Sequence, residues 1–510
     1  MTYLNFETID LECNKTWDLI GSGNTKGIFQ LESRLGQSMA KKLRPENIEQ
    51  LSALISIMRP GCLEAIRDGK SVSNHYIDKK NGAESVDYFH PALEPVLKNT
   101  YGEMVYQEQA MEITKVVAGF NLSEADMVRK AIGKKKPEEM AKIKTLFIEK
   151  SKEQKIVNDK EADEIFGWIE KSQRYSFNKS HAISYAINAY VSAYAKTHFK
   201  NEFFVSYLRF AKDKIDPMKE VYELVNNAIE NNVKIYRPDL RKLNSDFILD
   251  NNIIYFGLTN IKGIGQSVFN KIIENTKNIE LNNISINELL FFVLDKMNSA
   301  GAKALVSVGA VDYLKVSRKK ILFYLDIINN LSAREKDIII NQLDIKLPIS
   351  KLLLELMPSV NQKRKDIINS LILALNKPAY SLDNDYEWIA SVEKQYLGVP
   401  ITCSIIDGRD LEAANTDCGS LNKSSVFGKS IIVGAEIDEI SIVKTKKGKN
   451  PGQEMAFIKI SDGTGSCDIV AFPKEFETSR AFLYKNNTVM FSLEQSKTKD
   501  SFIIKKCWQI

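Results

Sequence analysis

The sequence has few of the residues that build metal centres and disulfide frameworks. Its 510 residues include six cysteines and four histidines, and no two cysteines form a Cys-x-x-Cys pair. This spacing argues against a zinc ribbon and against a disulfide scaffold. The cysteines are therefore predicted to be reduced thiols of a cytosolic protein.

Long apolar runs and a strong excess of one charge are missing as well. No apolar stretch approaches the roughly 18 residues of a membrane span, and the N-terminal residues MTYLNFETIDLE are acidic, unlike a signal peptide. A cytoplasmic protein that does not bind membranes is therefore predicted. Lysine and arginine number 70 against 65 aspartates and glutamates, so any contact with nucleic acid has to come from local basic patches.

Length and hydrophobic periodicity predict a multidomain, mainly α protein with an all-β C-terminal domain. A chain of 510 residues is too long for one core and predicts about three to four domains. Apolar residues recur every three or four positions from Ile48 to Met58, which is typical of an amphipathic helix, whereas the period changes to two after Pro400. A small barrel of the oligonucleotide-binding (OB) type is predicted from strands at 431–437, 455–462, 467–472, 489–493 and 502–505.

The densest positive charge lies at residues 129–136, which read RKAIGKKK. Asp126, Arg129, Lys130 and Lys134 are three or four residues apart, so they share about one face of a predicted helix. A run of this kind is either a solvated helix face or a binding site for a polyanion. The run by itself leaves both interpretations open.

A second polar group is FNKSH at residues 177–181, within a stretch from Phe166 to Phe199 that is predicted to be helical. Consecutive polar groups at a helix start offer several donors to phosphate oxygens. Arg59 is interpreted either as a functional cation or as a cation that complements the end of the preceding helix. Tyr101 and Tyr106 suit stacking on a base or sugar, and they equally suit half-buried packing.

Residues 254–274 predict a glycine turn that leads into a helix. The turn reads KGIG at 262–265, a helix-hairpin-helix signature in which glycines let backbone amides approach a DNA phosphate. A weaker second unit with a single glycine follows at 304–310, and an ordinary tight turn is the alternative for both. A lysine cluster in the first barrel hairpin is either a contact to a nucleic-acid backbone or a solvated tip.

Six short motifs, in one order, carry a resemblance to a known family. Together they resemble the fingers region of the bacterial replicative DNA polymerase, the DNA polymerase III alpha subunit, and the resemblance continues through the glycine turns to the barrel. It implies the C-terminal portion of such a C-family polymerase, in a split or phage-type version. The motifs are FQLES at 29–33, RPG at 59–61, TYG at 100–102, YQEQ at 106–109, GKKKPEEM at 133–140 and FNKSHA at 177–182.

The resemblance implies roles for individual residues, since the fingers of this family bind the incoming nucleotide (dNTP). The implied dNTP-binding residues are Arg59, Tyr101, Tyr106, Arg129, Lys130, Lys134, Lys135, Lys136, Asn178, Lys179 and His181. The candidate DNA-binding residues are Lys262, Gly263, Gly265 and Gly309 in the glycine turns and Lys444, Lys446 and Lys447 in the barrel. A loose match to a sliding-clamp motif, without its usual aromatic residue, consists of Gln342, Leu343, Ile345 and Leu347.

The resemblance also implies five segments with different tasks. The implied segments are a connection from palm to fingers at 1–36, helical nucleotide-binding fingers at 37–235, a tandem helix-hairpin-helix region for duplex DNA and the clamp at 236–345, a helical linker region at 346–424 and an OB-fold for single-stranded DNA at 425–510.

One departure from the family limits what this chain is expected to do. In the family, aspartates of the palm hold magnesium ions, and the palm precedes the FQLES segment. Asp383-Asn384-Asp385 lies in a polar loop far downstream and is not assigned metals. We therefore expect no catalytic and no metal-binding residue here, an isolated chain that is inactive, and Mg²⁺ held by the palm of a partner chain.

The expected partners are the palm-bearing polymerase chain, primer-template DNA, the incoming dNTP and a sliding clamp. With them, the chain is predicted to act as a subunit of a replicative DNA-directed DNA polymerase. The alternative function is a non-catalytic DNA-binding accessory or regulatory protein derived from the polymerase. The two hypotheses differ at the fingers, because an accessory protein does not need Arg129, Lys134 and His181 together.

Overall fold

A computed structural model of the protein describes residues 8–133, 137–172, 176–421, 430–445, 451–496 and 502–510. The chain divides into two compact units, Met1–Phe203 and Phe204–Ile510. All six cysteines are free thiols, as the sequence predicts. Within the described ranges, no helix is both long enough and apolar enough to cross a membrane.

Over its described residues, the first unit is mainly helical and contains one short antiparallel pair of strands, β1 (Ile66–Arg67) and β2 (Lys70–Ser71). The boundary with the second unit falls inside the helix α12 (Lys200–Phe210). The preceding helices are α1 (Asn14–Gly21), α2 (Arg34–Leu43), α3 (Ile48–Ile57), α4 (Pro60–Glu64), α5 (Val72–Lys80), α6 (Glu94–Leu97), α7 (Gln107–Ala118), α8 (Leu122–Gly133), α9 (Pro137–Gln154), α10 (Asp159–Ser172) and α11 (Lys179–His198).

Two hydrophobic cores stabilise the first unit. In one core, α11 packs on α3 through Ala182, Ala186 and Ala189, small side chains that recur every three or four residues and let the two backbones approach closely. In the other core, helices α7 to α10 surround Phe147 and Phe166, both of which are completely buried. The start of α11 lies beside the first core, so a well-packed base supports it.

The second unit begins with helices and a small sheet and ends in a barrel. Strands β3 (Lys234–Tyr236), β4 (Ile248–Asp250) and β5 (Ile253–Tyr255) form the sheet in the order β3-β5-β4. The helices are α13 (Pro217–Glu230), α14 (Gln266–Thr276), α15 (Ile286–Glu288), α16 (Ser299–Ser307), α17 (Arg318–Asn329), α18 (Ala333–Gln342), α19 (Ile349–Leu356), α20 (Gln362–Asn376), α21 (Tyr386–Leu397), α22 (Cys418–Leu421) and α23 (Pro473–Ser479).

Five strands close into the barrel in the order β10-β8-β7-β6-β9. β10 pairs parallel with β8 and antiparallel with β9, and α23 connects β8 to β9, so the architecture is that of an OB-like barrel. The predicted fold class, mainly α with a C-terminal barrel, is confirmed. The strands are β6 (Ile431–Lys444), β7 (Glu454–Ser461), β8 (Ser466–Ala471), β9 (Thr488–Gln495) and β10 (Phe502–Gln509).

Local predictions from the sequence are confirmed in most places. The helix predicted from Ile48 to Met58 is α3, and each of the five predicted strands is present. The helix predicted to run from Phe166 to Phe199 is interrupted, because α10 ends at Ser172 and α11 begins only at Lys179. This interruption is important because it places FNKSH at the beginning of a helix.

The boundary between the two compact units falls before α13, and the five segments implied by the resemblance stay a prediction. α13 belongs to the second unit because its side chains contact the barrel. The Lys219 ammonium lies 2.7 Å from the Glu439 carboxylate, and the Tyr222 hydroxyl is 3.1 Å from the Ser461 hydroxyl. The barrel is therefore anchored to a helix that precedes it by more than two hundred residues in sequence.

Candidate functional site

The start of α11 brings two distant sequence motifs together. Phe177 of FNKSH pairs with Tyr106 of YQEQ in a parallel bridge, in which the Phe177 N–H donates to the Val105 carbonyl at 3.0 Å and the Phe177 carbonyl accepts from the Gln107 N–H at 3.0 Å. Asn178 then caps α11, because its side-chain oxygen accepts from the His181 N–H at 2.9 Å. The motifs thus build one rigid helix start.

A carboxylate from α7 binds to the donors of this helix start. The Glu108 Oε1 accepts from the Asn178 side-chain amide at 2.7 Å, and the Glu108 Oε2 accepts from the Lys179 N–H at 2.9 Å. Free N–H groups and the helix dipole make the first turn of a helix favourable for an anion. In this structure, Glu108 is that anion.

The Lys179 side chain is held between an acid and an aromatic ring. Its ammonium lies 3.2 Å from a Glu49 carboxylate oxygen and 5.7 Å from the centre of the Tyr106 ring. The side chains of Lys179 and Glu49 are 33% and 45% exposed, so this ion pair is partly solvated. A pair of this kind contributes little to stability and remains exchangeable.

Arg59 and a row of aromatic rings lie beside the start of α11. The Arg59 guanidinium lies 3.6 Å from the centre of the Phe177 ring, a cation–π distance. Along α11, His181 contacts Phe177 on one side and Tyr185 on the other, with ring centres 5.3 and 4.0 Å apart, and Tyr185 continues to Phe29 of FQLES at 5.1 Å. We call Arg59, Phe177, Asn178, Lys179 and His181 the helix-start cluster.

The two predicted tyrosines lie beneath this cluster. Tyr106 is 1% exposed, and its hydroxyl forms a hydrogen bond of 3.0 Å with the Ser52 hydroxyl. Burial raises the pKa of Tyr106 well above its usual value, so the phenol stays neutral. Tyr101 packs edge-on against Tyr76, and its hydroxyl accepts from the Gln50 amide at 3.0 Å. Tyr106 is therefore too buried to stack on a base, whereas Tyr101 is half-buried and its contact with a nucleotide stays a prediction.

Arg129 and Lys130 form a second basic group on α8. Both cations pair with Asp126, at 2.7 Å for Arg129 and 2.8 Å for Lys130, as the predicted helical spacing requires. Hydrogen bonds from Lys130, which has the larger effect, and from Arg129 lower the pKa of the Asp126 carboxyl. The carboxyl therefore stays ionised at neutral pH. Lys134, Lys135 and Lys136 lie outside the described residues.

The first glycine turn of the second unit is open. Gly263 has a φ of +98°, which favours glycine, and Gly265 has a φ of −85°, which any residue adopts. A Cβ atom at either position would meet no atom within 4 Å. Lys262 is exposed beside them, and α14 begins directly after Gly265 without a side-chain cap. The turn therefore leaves space for a phosphate to approach its backbone amides.

The second glycine turn is closed, and Gly309 is not available to DNA because it is buried. Its φ is +76°, and a Cβ atom there would lie 2.2 Å from the Arg318 Nη2. The Arg318 guanidinium, itself completely buried, bonds to Asp312 and Glu393 at 2.8 Å each. The glycine at this turn is thus explained by packing around a buried ionic centre.

The segment resembling a clamp motif lies between α18 and α19. Gln342 is exposed at the end of α18, and the side chains of Leu343, Ile345 and Leu347 are half-buried. The buried Asn287 amide donates to the carbonyls of Ile345 and Leu347 at 2.7 Å each, so the segment is held in one conformation. Clamp binding by these residues stays a prediction.

The barrel presents an exposed aromatic residue that sequence reasoning missed. Phe457 is 48% exposed on β7, between Ser441 of β6 and Val470 of β8 in the strand register. Exposed aromatic rings on a barrel face suit stacking with unpaired bases. Lys444 is exposed at the end of β6, whereas Lys446 and Lys447 lie outside the described residues. The alternation of Ile458, Lys459, Ile460 and Ser461 in the sequence places Phe457 on the same face as Lys459, and this is the signal that could have identified the ring.

The described residues do not fit a metal ion. They contain no group of three or more histidine, cysteine, aspartate or glutamate side chains that could hold one. Asp385, from the polar loop, instead pairs with the ammonium of Lys319 and caps α21.

Two family models match the chain. The first is described as the bacterial DNA polymerase III alpha subunit finger domain and matches residues 2–155. The second is described as a helix-hairpin-helix motif and matches residues 232–321, which include the open glycine turn. The two matches agree with the order of motifs along the chain.

Relatives extend this similarity over nearly the whole chain. The DNA polymerase III subunit alpha of Aquifex aeolicus is 31% identical over 514 residues, covering 99% of this chain and 39% of the relative. The same subunit of Pseudomonas aeruginosa is 30% identical, and the match covers 97% of this chain and 41% of the relative. The subunit of Staphylococcus epidermidis is 29% identical, and the match covers 99% of this chain and 44% of the relative. The chain thus spans about two fifths of the length of these relatives. These matches identify the chain as a DNA polymerase III alpha-like protein.

Proposed function

We propose that this chain is a subunit of a replicative DNA-directed DNA polymerase. It supplies the fingers that bind the incoming dNTP, together with modules that bind duplex and single-stranded DNA. The observation that carries the proposal is the joining of FNKSH and YQEQ at one basic helix start, within a chain similar to DNA polymerase III alpha subunits. Primer extension by this chain mixed with a palm-bearing polypeptide tests the proposal.

The helix-start cluster suits a nucleotide because its donors converge from several directions. Lys179 offers an ammonium and Arg59 a planar guanidinium, and the Asn178 amide and the Lys179 N–H, which bond to Glu108 here, become available when Glu108 leaves them. Phosphoryl transfer depends mainly on positioning the phosphates and neutralising the charge that develops on them. The cluster holds and orients the triphosphate, with Arg129, Lys130 and Lys134–Lys136 of the lysine run supplying further positive charge.

Catalysis also needs carboxylates that hold Mg²⁺, and we propose that these belong to the palm of a partner chain. When bound there, the ion neutralises charge on the phosphates. The residues described in this chain then bind and orient the dNTP and the DNA. The isolated chain is accordingly proposed to be inactive.

The second unit is proposed to bind the DNA product and the template. Lys262, Gly263 and Gly265 offer a duplex phosphate a cation and accessible amides, and Phe457 with Lys444 offers a single strand a ring and a charge. Gln342 and the segment after it are proposed to contact a sliding clamp. The alternative function is that of a non-catalytic accessory protein. Such a protein needs these DNA contacts but does not need the helix-start cluster.

Gly265→Ala is expected to weaken binding of primer-template duplex about fivefold. The methyl group meets no protein atom, so the fold is unaffected, but it occupies space that a phosphate needs, and one net hydrogen bond is worth about 1 kcal/mol. Fluorescence anisotropy with labelled duplex at several salt concentrations measures the change. The slope of affinity against salt should stay constant, because no charge is removed.

Gly167→Ala is the matched control for this variant. Gly167 lies within α10, and a Cβ atom there also meets nothing within 4 Å, so duplex binding should equal that of the unmodified chain. Lys262→Ala, in contrast, should weaken binding and reduce the salt slope by about one. Full duplex affinity in the Gly265→Ala chain would contradict a phosphate contact at this turn.

A further inference from the structure

The small sheet of the second unit has one buried face and one exposed face. The strand register aligns Ile235, Ile254 and Leu249 in one row, and the first two of these side chains are buried. Because side chains alternate along a strand, the residues on either side of this row share the opposite face. We call this opposite face the tyrosine face, and it consists of Lys234, Tyr236, Ile248, Asp250, Ile253 and Tyr255.

The two rings of the tyrosine face are held in place, and one of them is accessible. Tyr236 is 47% exposed, and its ring packs edge-on with the Tyr255 ring, with ring centres 5.6 Å apart. The Lys242 ammonium lies 4.7 Å from the centre of the Tyr255 ring and pairs with the Asp250 carboxylate. The Tyr236 ring is therefore ordered before a ligand arrives, and a planar group can stack on it at little cost in side-chain entropy.

The segment that carries Tyr236 is strongly basic. Residues 234–242 read KIYRPDLRK and contain four cations and one acid. Lys234 is exposed on the tyrosine face, two residues from Tyr236. Arg241 and Lys242 pair with carboxylates but stay partly exposed, so these ion pairs are exchangeable. An accessible ring beside cations suits a nucleic-acid strand, because a base stacks on the ring while the cations contact phosphates.

We propose that the tyrosine face binds an unpaired base of the DNA strand that continues beyond the duplex. The base stacks on Tyr236, and Lys234 contacts an adjacent phosphate. A base inside a duplex has both faces covered by its neighbours, so an exposed ring selects an unpaired strand. The inference rests on the DNA-binding function proposed above and adds to it a site for the single-stranded part of the template.

The open glycine turn lies near enough to the tyrosine face to contact the same DNA molecule. Strand β5 ends at Tyr255, and Lys262 of the turn follows seven residues later. Seven residues span at most about 25 Å when fully extended, so the two sites are close neighbours. A duplex bound at the turn can therefore place its single-stranded extension against Tyr236.

Tyr236→Ala is expected to weaken binding of primer-template DNA with a single-stranded template overhang about tenfold, which is within the range for the loss of one base–aromatic stack. Blunt duplex should bind as it does to the unmodified chain, because it offers no unpaired base. An overhang of abasic sites should abolish the difference between the two chains. Fluorescence anisotropy of the full 510-residue chain with the three labelled DNAs measures these affinities.

Three further variants separate the ring from the charge and from general exposure. Tyr236→Phe retains the ring and should restore the affinity lost in the alanine variant. Tyr380→Ala is the matched control, since Tyr380 is 56% exposed in the same unit and also packs edge-on against a ring, that of Phe323. It should bind all three DNAs normally. Lys234→Ala should weaken overhang binding and reduce its salt slope by about 0.7, the value for one phosphate of a single strand.

Normal overhang binding by the Tyr236→Ala chain would contradict the inference. An equal loss of blunt-duplex binding would also overturn it, because the tyrosine would then support the fold or the duplex site. Intact overhang binding with loss of association with a palm-bearing polypeptide would make the tyrosine face a protein interface instead. Absence of DNA binding by the unmodified chain would contradict the proposed DNA-binding function itself, so the two failures are distinguishable.

Discussion

Replacing Arg318 with leucine is expected to destabilise the second unit by about 3–5 kcal/mol, the usual cost of leaving a buried charge without its partner. The guanidinium donates to Asp312, Glu393, the Ser307 carbonyl and the Thr402 hydroxyl, so its five N–H groups are all used. Glu393 is completely buried. The leucine variant would therefore leave a carboxylate in the core without its cation.

Hydrogen exchange of peptides from α17 and α21, together with urea unfolding of the full chain, measures this loss. Glu393→Gln in the same chain should restore part of the stability, because it removes the uncompensated charge. The control is Arg480→Leu, which breaks a pair with Glu454 on the barrel surface whose side chains are 66% and 39% exposed, and it should cost less than about 1 kcal/mol. Equal losses in Arg318→Leu and Arg480→Leu would contradict a buried ionic centre.

Removing the cations of the helix-start cluster is expected to raise the apparent dNTP Michaelis constant of the assembled polymerase at least tenfold. A hydrogen bond to a charged group is worth about 1.5–3 kcal/mol, and a contact made equally in the ground and transition states changes KM more than kcat. The variants are Lys179→Ala and Arg59→Ala. Neutralising Lys134, Lys135 and Lys136 is predicted to act in the same direction.

Steady-state primer extension with increasing dNTP measures these constants in the mixture with the palm-bearing polypeptide. Lys115→Ala is the control, since Lys115 lies in the first unit but pairs with Glu112 outside the cluster. Its Michaelis constant should equal that of the unmodified chain. If Lys179→Ala and Arg59→Ala also leave the constant unchanged, the triphosphate site lies elsewhere.

The helices and strands were predictable because local sequence patterns determine them. The apolar spacing that predicts α3 and the alternation that predicts β7 both reflect which face is buried, and burial is the main driving force for each element. The cap of α11 by Asn178 is also a local feature, because asparagine is a favoured residue at the N-cap position of a helix. The barrel could be predicted for this reason, although β6 ends at Lys444 and not at the predicted Ile437.

The partners of the predicted cations could not be derived from local patterns. Glu108 binds residues about seventy positions away, and Arg318 reaches Glu393 across 75 residues. Such pairs depend on how helices pack, and a single sequence contains no signal for them. Gly309 illustrates the difficulty, since a glycine needed for packing beside Arg318 looks in the sequence like a glycine needed for DNA.

Primer extension with and without a palm-bearing polypeptide from the same source decides whether this chain works as a subunit of a polymerase. We expect no extension by this chain alone, none by the palm-bearing polypeptide alone, and template-dependent extension by the mixture. Extension by the isolated chain would contradict a catalytic palm on a partner. A mixture that binds primer-template DNA but never extends it would contradict the polymerase function and favour the accessory protein.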